Sequence, residues 1–357
     1  MPALTFSDVL IIPKYSEVES RKDVDISVSI NKCFTLNFPI IAANMKSICG
    51  PKMAAEMAVN GGLGILHRFM PIENAIRDYI EAVGLISQQV SSTIYSDKVG
   101  VSIGVQEDDK KRFDALYEAG ARIFCVDVAH GHSKKTRDML QWINGRDYEN
   151  PQYGKDRNRC RHNLTVIAGN VATKEGAYDL ADWGADVVKV GIGPGSACST
   201  RRATGCGVPQ LHAIKEAREE FEAQGIKKNI ISDGGITTVG DICKALKYSD
   251  LVMLGGFLGG TSETPGNVFR DENQNFYKVF QGSASGENKN ESGYAAEYIE
   301  GISKKVPFRG HVKHILREIE QGIKSSCSYV GAFNLAQFKE KCTFVEISGG
   351  GKVESKI

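Results

Sequence analysis

Eight short apolar runs, separated by helix-compatible segments, constrain this chain more than any other feature of it. They are Pro39-Ile-Ile-Ala-Ala, Gly62-Leu-Gly-Ile-Leu, Val99-Gly-Val-Ser-Ile, Ile123-Phe-Cys-Val, Leu164-Thr-Val-Ile-Ala, Val187-Val-Lys-Val, Asn229-Ile-Ile-Ser and Leu251-Val-Met-Leu. The runs are nearly continuous in apolar residues instead of alternating with polar ones. Strands of that kind are covered on both faces, as in a parallel sheet flanked by helices. Eight strand–helix units predict an α/β fold of the (β/α)8 TIM-barrel type; a doubly wound sheet is the alternative.

A length of 357 residues suits one such barrel with additions, or two ordinary domains. We read residues 1–357 as a single barrel domain with an excursion at 261–309 and a tail at 343–357. Coming off the strand ends, the excursion has the position of a lid. A polar loop at 144–163 reads as solvated. Near 311–324, Val312, Ile315, Leu316, Ile319 and Ile323 share one helical face, which we assign to the core.

The net charge of +1 gives no reason to expect nucleic acid or an anionic membrane as partner. No apolar run approaches the length of a membrane span, and the first residues lack the pattern of a secretion signal. Nine cysteines without a Cys-x-x-Cys pair predict reduced thiols in a cytoplasmic protein, most of them core filler.

Polar residues and glycines follow the runs: Asn44, His67, Asp127, Asn170, Gly191, Asp233 and Gly255. In a barrel all strand ends share one face, so these residues are expected to ring one pocket. Asp233-Gly234-Gly235 and Gly255-Gly256 follow the seventh and eighth runs, where backbone N–H groups of such barrels often bind phosphate. After the sixth run comes Gly191-Ile-Gly-Pro-Gly-Ser-Ala-Cys198-Ser-Thr200-Arg201. Glycines let backbone approach a ligand, and a thiolate is a strong nucleophile at neutral pH. The competing reading is a flexible loop with a buried cysteine.

Taken together these residues resemble the inosine-monophosphate dehydrogenase and guanosine-monophosphate reductase family. The resemblance runs from Leu4-Thr-Phe-Ser-Asp-Val-Leu to Tyr329-Val-Gly-Ala. It is most specific in the Cys198 loop, in Thr204-Gly-Cys-Gly-Val-Pro-Gln, and in Asn170-Val-Ala-Thr, Ser232-Asp-Gly-Gly-Ile and Met253-Leu-Gly-Gly. The resemblance implies a homotetrameric barrel that binds a purine mononucleotide beside a nicotinamide cofactor. It implies Cys198 as nucleophile toward purine C2, with Thr200 and Glu300 moving protons. Asp233 would hold the ribose, with Gly234, Gly235, Gly255 and Gly256 around the phosphate. Ser196, Gly282 and Ser283 would lie near the nucleotide. Cofactor contacts would come from Ser20, Arg21, Arg68, Asp127, Val128, Ala129, Ile192, Gly193, Ser325 and Ser328. A potassium site would involve Gly193, Gly195, Cys198 and Arg201.

Within the family the chain is closer to the reductases, which consume NADPH; NADH or NAD+ remain alternatives. The regulatory CBS insertion usual in the dehydrogenases is missing. Pro13-Lys-Tyr-Ser, Ser20-Arg21-Lys-Asp-Val, Asp127-Val-Ala and Ser326-Cys-Ser-Tyr-Val-Gly-Ala read as reductase. Between Gly282 and Glu300 there is no Arg-Tyr pair of the kind the dehydrogenases use to activate water. The dehydrogenase alternative draws on Glu300-Gly-Ile-Ser-Lys-Lys-Val-Pro-Phe-Arg-Gly and on the tail Ile347-Ser-Gly-Gly-Gly-Lys-Val-Glu-Ser. In that tail Lys356 is a possible stand-in for the cation. The segment Gln281-Gly-Ser-Ala-Ser departs from the family pattern, so a modified guanine nucleotide is a further candidate substrate.

Overall fold

All eight apolar runs become strands: β1 Ile40–Ala42, β2 Leu63–Leu66, β3 Val99–Ile103, β4 Ile123–Asp127, β5 Thr165–Val171, β6 Val187–Val190, β7 Asn229–Asp233 and β8 Leu251–Leu254. The structure, a computed structural model, describes residues 2–31, 34–90, 98–146, 164–282 and 302–355. The strands pair in parallel and in chain order, and β8 pairs with β1 through Val252 and Ile40. A closed eight-stranded barrel results, which excludes the doubly wound sheet.

Alternation along each strand feeds two separate cores. Ile41, Leu63, Ile65, Ile123, Cys125 and Ile231 fill the barrel interior. Their neighbours Ile40, Leu66, Val101, Phe124, Val126 and Val188 meet the surrounding helices. Burial on both faces is why the runs lack a polar alternation. Each fully buried Leu, Ile or Val contributes about 1.5–3 kcal/mol relative to exposure.

The outer layer is α1 Pro51–Val59, α2 Ile72–Gln89, α3 Glu107–Glu118, α4 Lys134–Asn144, α5 Lys174–Asp182, α6 Gln210–Ala223, α7 Val239–Ala245 and α8 Val312–Tyr329. Their starts are chemically marked. Pro51 opens α1 at a position where no N–H is needed. Ser133, Thr173 and Thr238 cap α4, α5 and α7 through their hydroxyls. Gly64 has to be glycine, because a Cβ there would lie 2.4 Å from Ala54 Cα in α1. The expected apolar face of α8 is buried, and the helix runs on to Tyr329.

The chain before β1 closes the N-terminal end of the barrel. A small hairpin pairs Val28–Ser29 with Thr35–Leu36. Its Ile30 and Leu36 join the interior core, and Asn229 Nδ2 donates to Ser29 O at 3.0 Å. Near the termini, Val9–Ile11 pairs antiparallel with Phe344–Glu346. The excursion after β8 folds on itself as a three-stranded antiparallel sheet of β9 Phe269–Arg270, β10 Phe276–Gln281 and β11 Ser303–Pro307. Most of the 144–163 loop lies outside the described residues.

Candidate active site

Strand β6 exits into glycine because nothing larger fits. Gly191 has φ +152°, and a Cβ on it would lie 1.9 Å from Asp233 O at the end of β7. The chain then crosses the mouth of the barrel, and Cys198 N donates to Gly195 O at 3.0 Å. Cys198 is exposed, so the buried-cysteine reading does not hold. Its Sγ lies 3.1 Å from Thr200 Oγ1. Thr200 begins a one-turn helix, Thr200–Thr204, stopped by Gly205 in the left-handed conformation.

Cys198 and Thr200 open into a cavity of about 550 Å³ at the C-terminal ends of the strands. Asp233, Gly234, Gly235, Gly255, Gly256, Gly282 and Ser196 line it too. Gly234 and Gly235 hold φ of +93° and +76°, open only to glycine at low cost. A Cβ on Gly256 would meet Ser196 Oγ at 2.7 Å. Backbone is therefore exposed to the cavity, where a ligand could approach it closely. Arg68, Asp127, Val128, Ala129, Ile192 and Gly193 line the same cavity.

Among the lining residues is one that the sequence reading passed over. Lys189, in the middle of β6, alternates with Val187 into the interior and is 3% exposed. Its Nζ donates to Asp127 Oδ1 at 2.9 Å, to Asp233 Oδ2 at 3.1 Å and, very closely, to Asn170 Oδ1. Asn170 Nδ2 donates in turn to Asp233 Oδ2 at 2.8 Å and Gly191 O at 2.7 Å. Burial works against the charge on Lys189, but Asp127 and Asp233 overcome it and hold the ammonium protonated far above the ordinary range. Burial likewise opposes the charge on Asp127, yet Lys189 and then Arg68 keep its carboxyl below the usual value. A charge inside an apolar run was the available signal: a buried lysine needs carboxylate partners.

His67 is a correction to the expected ring of polar residues. It is buried and does not line the cavity; Arg68, the next residue, does. Burial, helped by Lys46 and Arg112, pushes the His67 imidazole down to about 4. Arg68 instead donates Nε to Asp127 O at 3.2 Å.

Other expected contacts fall elsewhere. Ser20 caps a short 3-10 helix, Arg21–Asp23, that packs against α8, and Ser325 and Ser328 lie on α8. None of the residues Ser20, Arg21, Ser325 and Ser328 lines the cavity. Glu300, Ser283 and Lys356 lie outside the described residues.

The proposed cation ligands form a mixed set. The carbonyls of Gly193, Gly195 and Cys198 are hard oxygen donors suited to an alkali cation. Arg201 cannot ligate through its side chain, which donates to Val208 O at 2.7 Å, and its carbonyl accepts from Gly205 N. Among the described residues no group of three His, Cys, Asp or Glu could hold a metal.

The excursion is tied to the thiol loop. Ile302 N donates to Ala197 O at 3.1 Å, and Gly282 N donates to Ile302 O at 3.1 Å. Gln281 N donates to Ser47 Oγ, and Ser47 Oγ donates to Gln281 O, both at 3.0 Å. Phe280, buried in β10, closes the cavity beside Gly256.

Comparison with known proteins agrees with this geometry. The family model described as "IMP dehydrogenase / GMP reductase domain" matches residues 3–357. GMP reductase 2 of Homo sapiens is 36% identical over 355 residues, covering 97% of this chain and 94% of the relative. Inosine-5'-monophosphate dehydrogenase of Nitrosopumilus maritimus is 30% identical over 480 residues, covering 99% and 97%. Among solved structures, a cysteine-to-alanine variant of GMP reductase from Trypanosoma brucei, in complex with guanosine 5'-monophosphate, superposes with a TM-score of 0.86. It is 28% identical, covering 100% of this chain and 98% of that one.

Proposed function

Since the chain belongs to the IMP dehydrogenase/GMP reductase family and is an oxidoreductase, we propose that it reductively deaminates GMP, or a modified guanine nucleotide, to the inosine form. The overall balance is GMP, NADPH and two protons giving IMP, NADP+ and ammonium. The observation that carries this reading is the solvent-exposed Cys198 thiol, 3.1 Å from a threonine hydroxyl, in one cavity with Asp233 and a glycine cradle.

In this mechanism Cys198 Sγ forms a bond to purine C2, the C2–N bond breaks, and the amine leaves as ammonia. Sulfur both attacks and leaves well, which an alkoxide would not. Thr200, beside the thiol, passes a proton to the departing amine, with Glu300 as its partner. When bound, the reduced nicotinamide supplies the hydride that takes the amine's place at C2 and frees the thiolate. Asp233 accepts hydrogen bonds from the ribose hydroxyls, held in place by Lys189 and Asn170. The N–H groups about Gly234, Gly235, Gly255 and Gly256 hold the phosphate. Arg68, Asp127, Val128, Ala129, Ile192 and Gly193 orient the nicotinamide. An alkali cation on the loop carbonyls, a homotetramer and a cytoplasmic setting belong to the same proposal. The seven described cysteines, all free, support the reducing compartment. No described helix is long and apolar enough to cross a membrane.

The test incubates the protein with GMP and NADPH and follows cofactor oxidation and ammonia together. Matched loss of NADPH and release of ammonia are expected. Silence there, with NADH formed from IMP and NAD+, would assign the dehydrogenase direction instead. That second reading has support in the dehydrogenase relative and in the Glu300-Gly-Ile-Ser segment.

A further inference from the structure

Helix α8 packs against α7 on one side but stands off from α1 on the other. The gap is a cleft of about 600 Å³, and no residue lining it lines the catalytic cavity. Phe38 and Asn60, in its wall, come just before β1 and β2. The cleft therefore reaches toward the N-terminal ends of the strands, away from Cys198.

Its chemistry is lopsided. Lys313, His314 and Arg317 line it from the first turns of α8, all exposed. None has a side-chain hydrogen-bond or ion-pair partner among the described residues. The one acid in the lining, Glu320, is engaged by Lys324 at 2.7 Å. Elsewhere the chain puts opposite charges at such spacings, as in Lys110–Glu107, Lys134–Asp138 and Lys215–Glu219. On α8 like charges stand at i and i+4, Lys313 and Arg317, an arrangement that opposes helix formation. An anion between the side chains would relieve that repulsion.

The rest of the cleft says what the anion is attached to. Two carboxamides stand in the same lining. Asn37 has no side-chain partner among the described residues, and Asn60 Nδ2 donates to Glu56 O at 2.8 Å, leaving its Oδ1 to accept. A cluster of cations suits several phosphate charges, and carboxamides suit the polar edge of a base. We propose that the α1–α8 cleft is a binding site for a nucleoside polyphosphate, separate from the catalytic cavity.

The test titrates GTP and ATP into the full chain by calorimetry. Three variants are compared: Lys313→Gln/Arg317→Gln, the charge-retaining Lys313→Arg/Arg317→Lys, and Gly256→Val, which fills the catalytic cradle. Saturable binding of one nucleotide is expected in the wild type. It should weaken by about tenfold or more in the glutamine pair, with the melting temperature unchanged, and persist in the other two. Absence of saturable binding for both nucleotides, or binding that survives the glutamine pair, overturns the proposal. Because the readout is binding, failure here leaves the assignment of GMP reduction standing.

Discussion

At the scale of single residues, Cys198 and Lys189 carry opposite burdens. Cys198 is exposed and supports nothing structural, so Cys198→Ala should fold and bind GMP as the wild type does. Turnover should fall by about a thousandfold or more, as when a nucleophile is deleted. Residual turnover near wild type would refute the covalent route. Lys189 is buried between two carboxylates. Lys189→Met would take the ammonium away from Asp127 and Asp233, at a cost of about 3 kcal/mol. Urea unfolding of the purified variant checks that cost; an unchanged midpoint would mean the carboxylates do not depend on the ammonium. The thiol was legible because a glycine loop at a strand end advertises itself. The lysine was not, because a single charge in an apolar run does not say which distant carboxylates it will meet.

At the scale of elements, the β6–β7 junction fixes where the thiol sits. A methyl group on Gly191 cannot coexist with Asp233 O at 1.9 Å, so the ends of the two strands would have to part. Gly191→Ala should therefore destabilise the fold by about 3 kcal/mol. It should also lower kcat by about a hundredfold through misplacement of Cys198. Thermal melts and steady-state kinetics test both. Wild-type kcat would show that the loop tolerates another path. The glycine pairs after β7 and β8 were readable as lining of the pocket, since their place in the barrel follows from counting strands. His67 shows the limit of that counting. Two residues in succession at the end of β2 point apart, and only packing decides that Arg68 enters the cavity.

For the whole molecule, acid is the weak side. His67, Asp127 and Asp250 all ionise at lower pH in the fold than their ordinary values. Groups with depressed values contribute stability above their unfolded pKa and lose it as pH falls toward the folded one. His67 acts first, between its ordinary 6.5 and about 4. From about pH 7 to about pH 5 it should remove about 2 kcal/mol. The two aspartates add to the loss only below the ordinary carboxylate value of 3.8. Urea midpoints measured across this range should decline in the wild type and stay nearly level in His67→Gln. Parallel declines would assign the acid limb to other groups.

The sequence by itself determined the barrel, its single-domain extent and the glycine loop that carries Cys198 to the cavity. Those features rest on local pattern: strands apolar on both faces, caps at helix starts, and glycine where backbone must approach a ligand. Tertiary structure alone decided which polar side chains meet. The Lys189–Asp127–Asn170–Asp233 cluster draws on β4, β5, β6 and β7, brought together by closure of the sheet. The plug of Ile30 and Leu36 and the gap between α1 and α8 likewise depend on how the ends of the chain settle against the barrel. Periodicity records only which face a residue turns to the core; contacts between distant segments follow from three-dimensional closure, which no local pattern encodes.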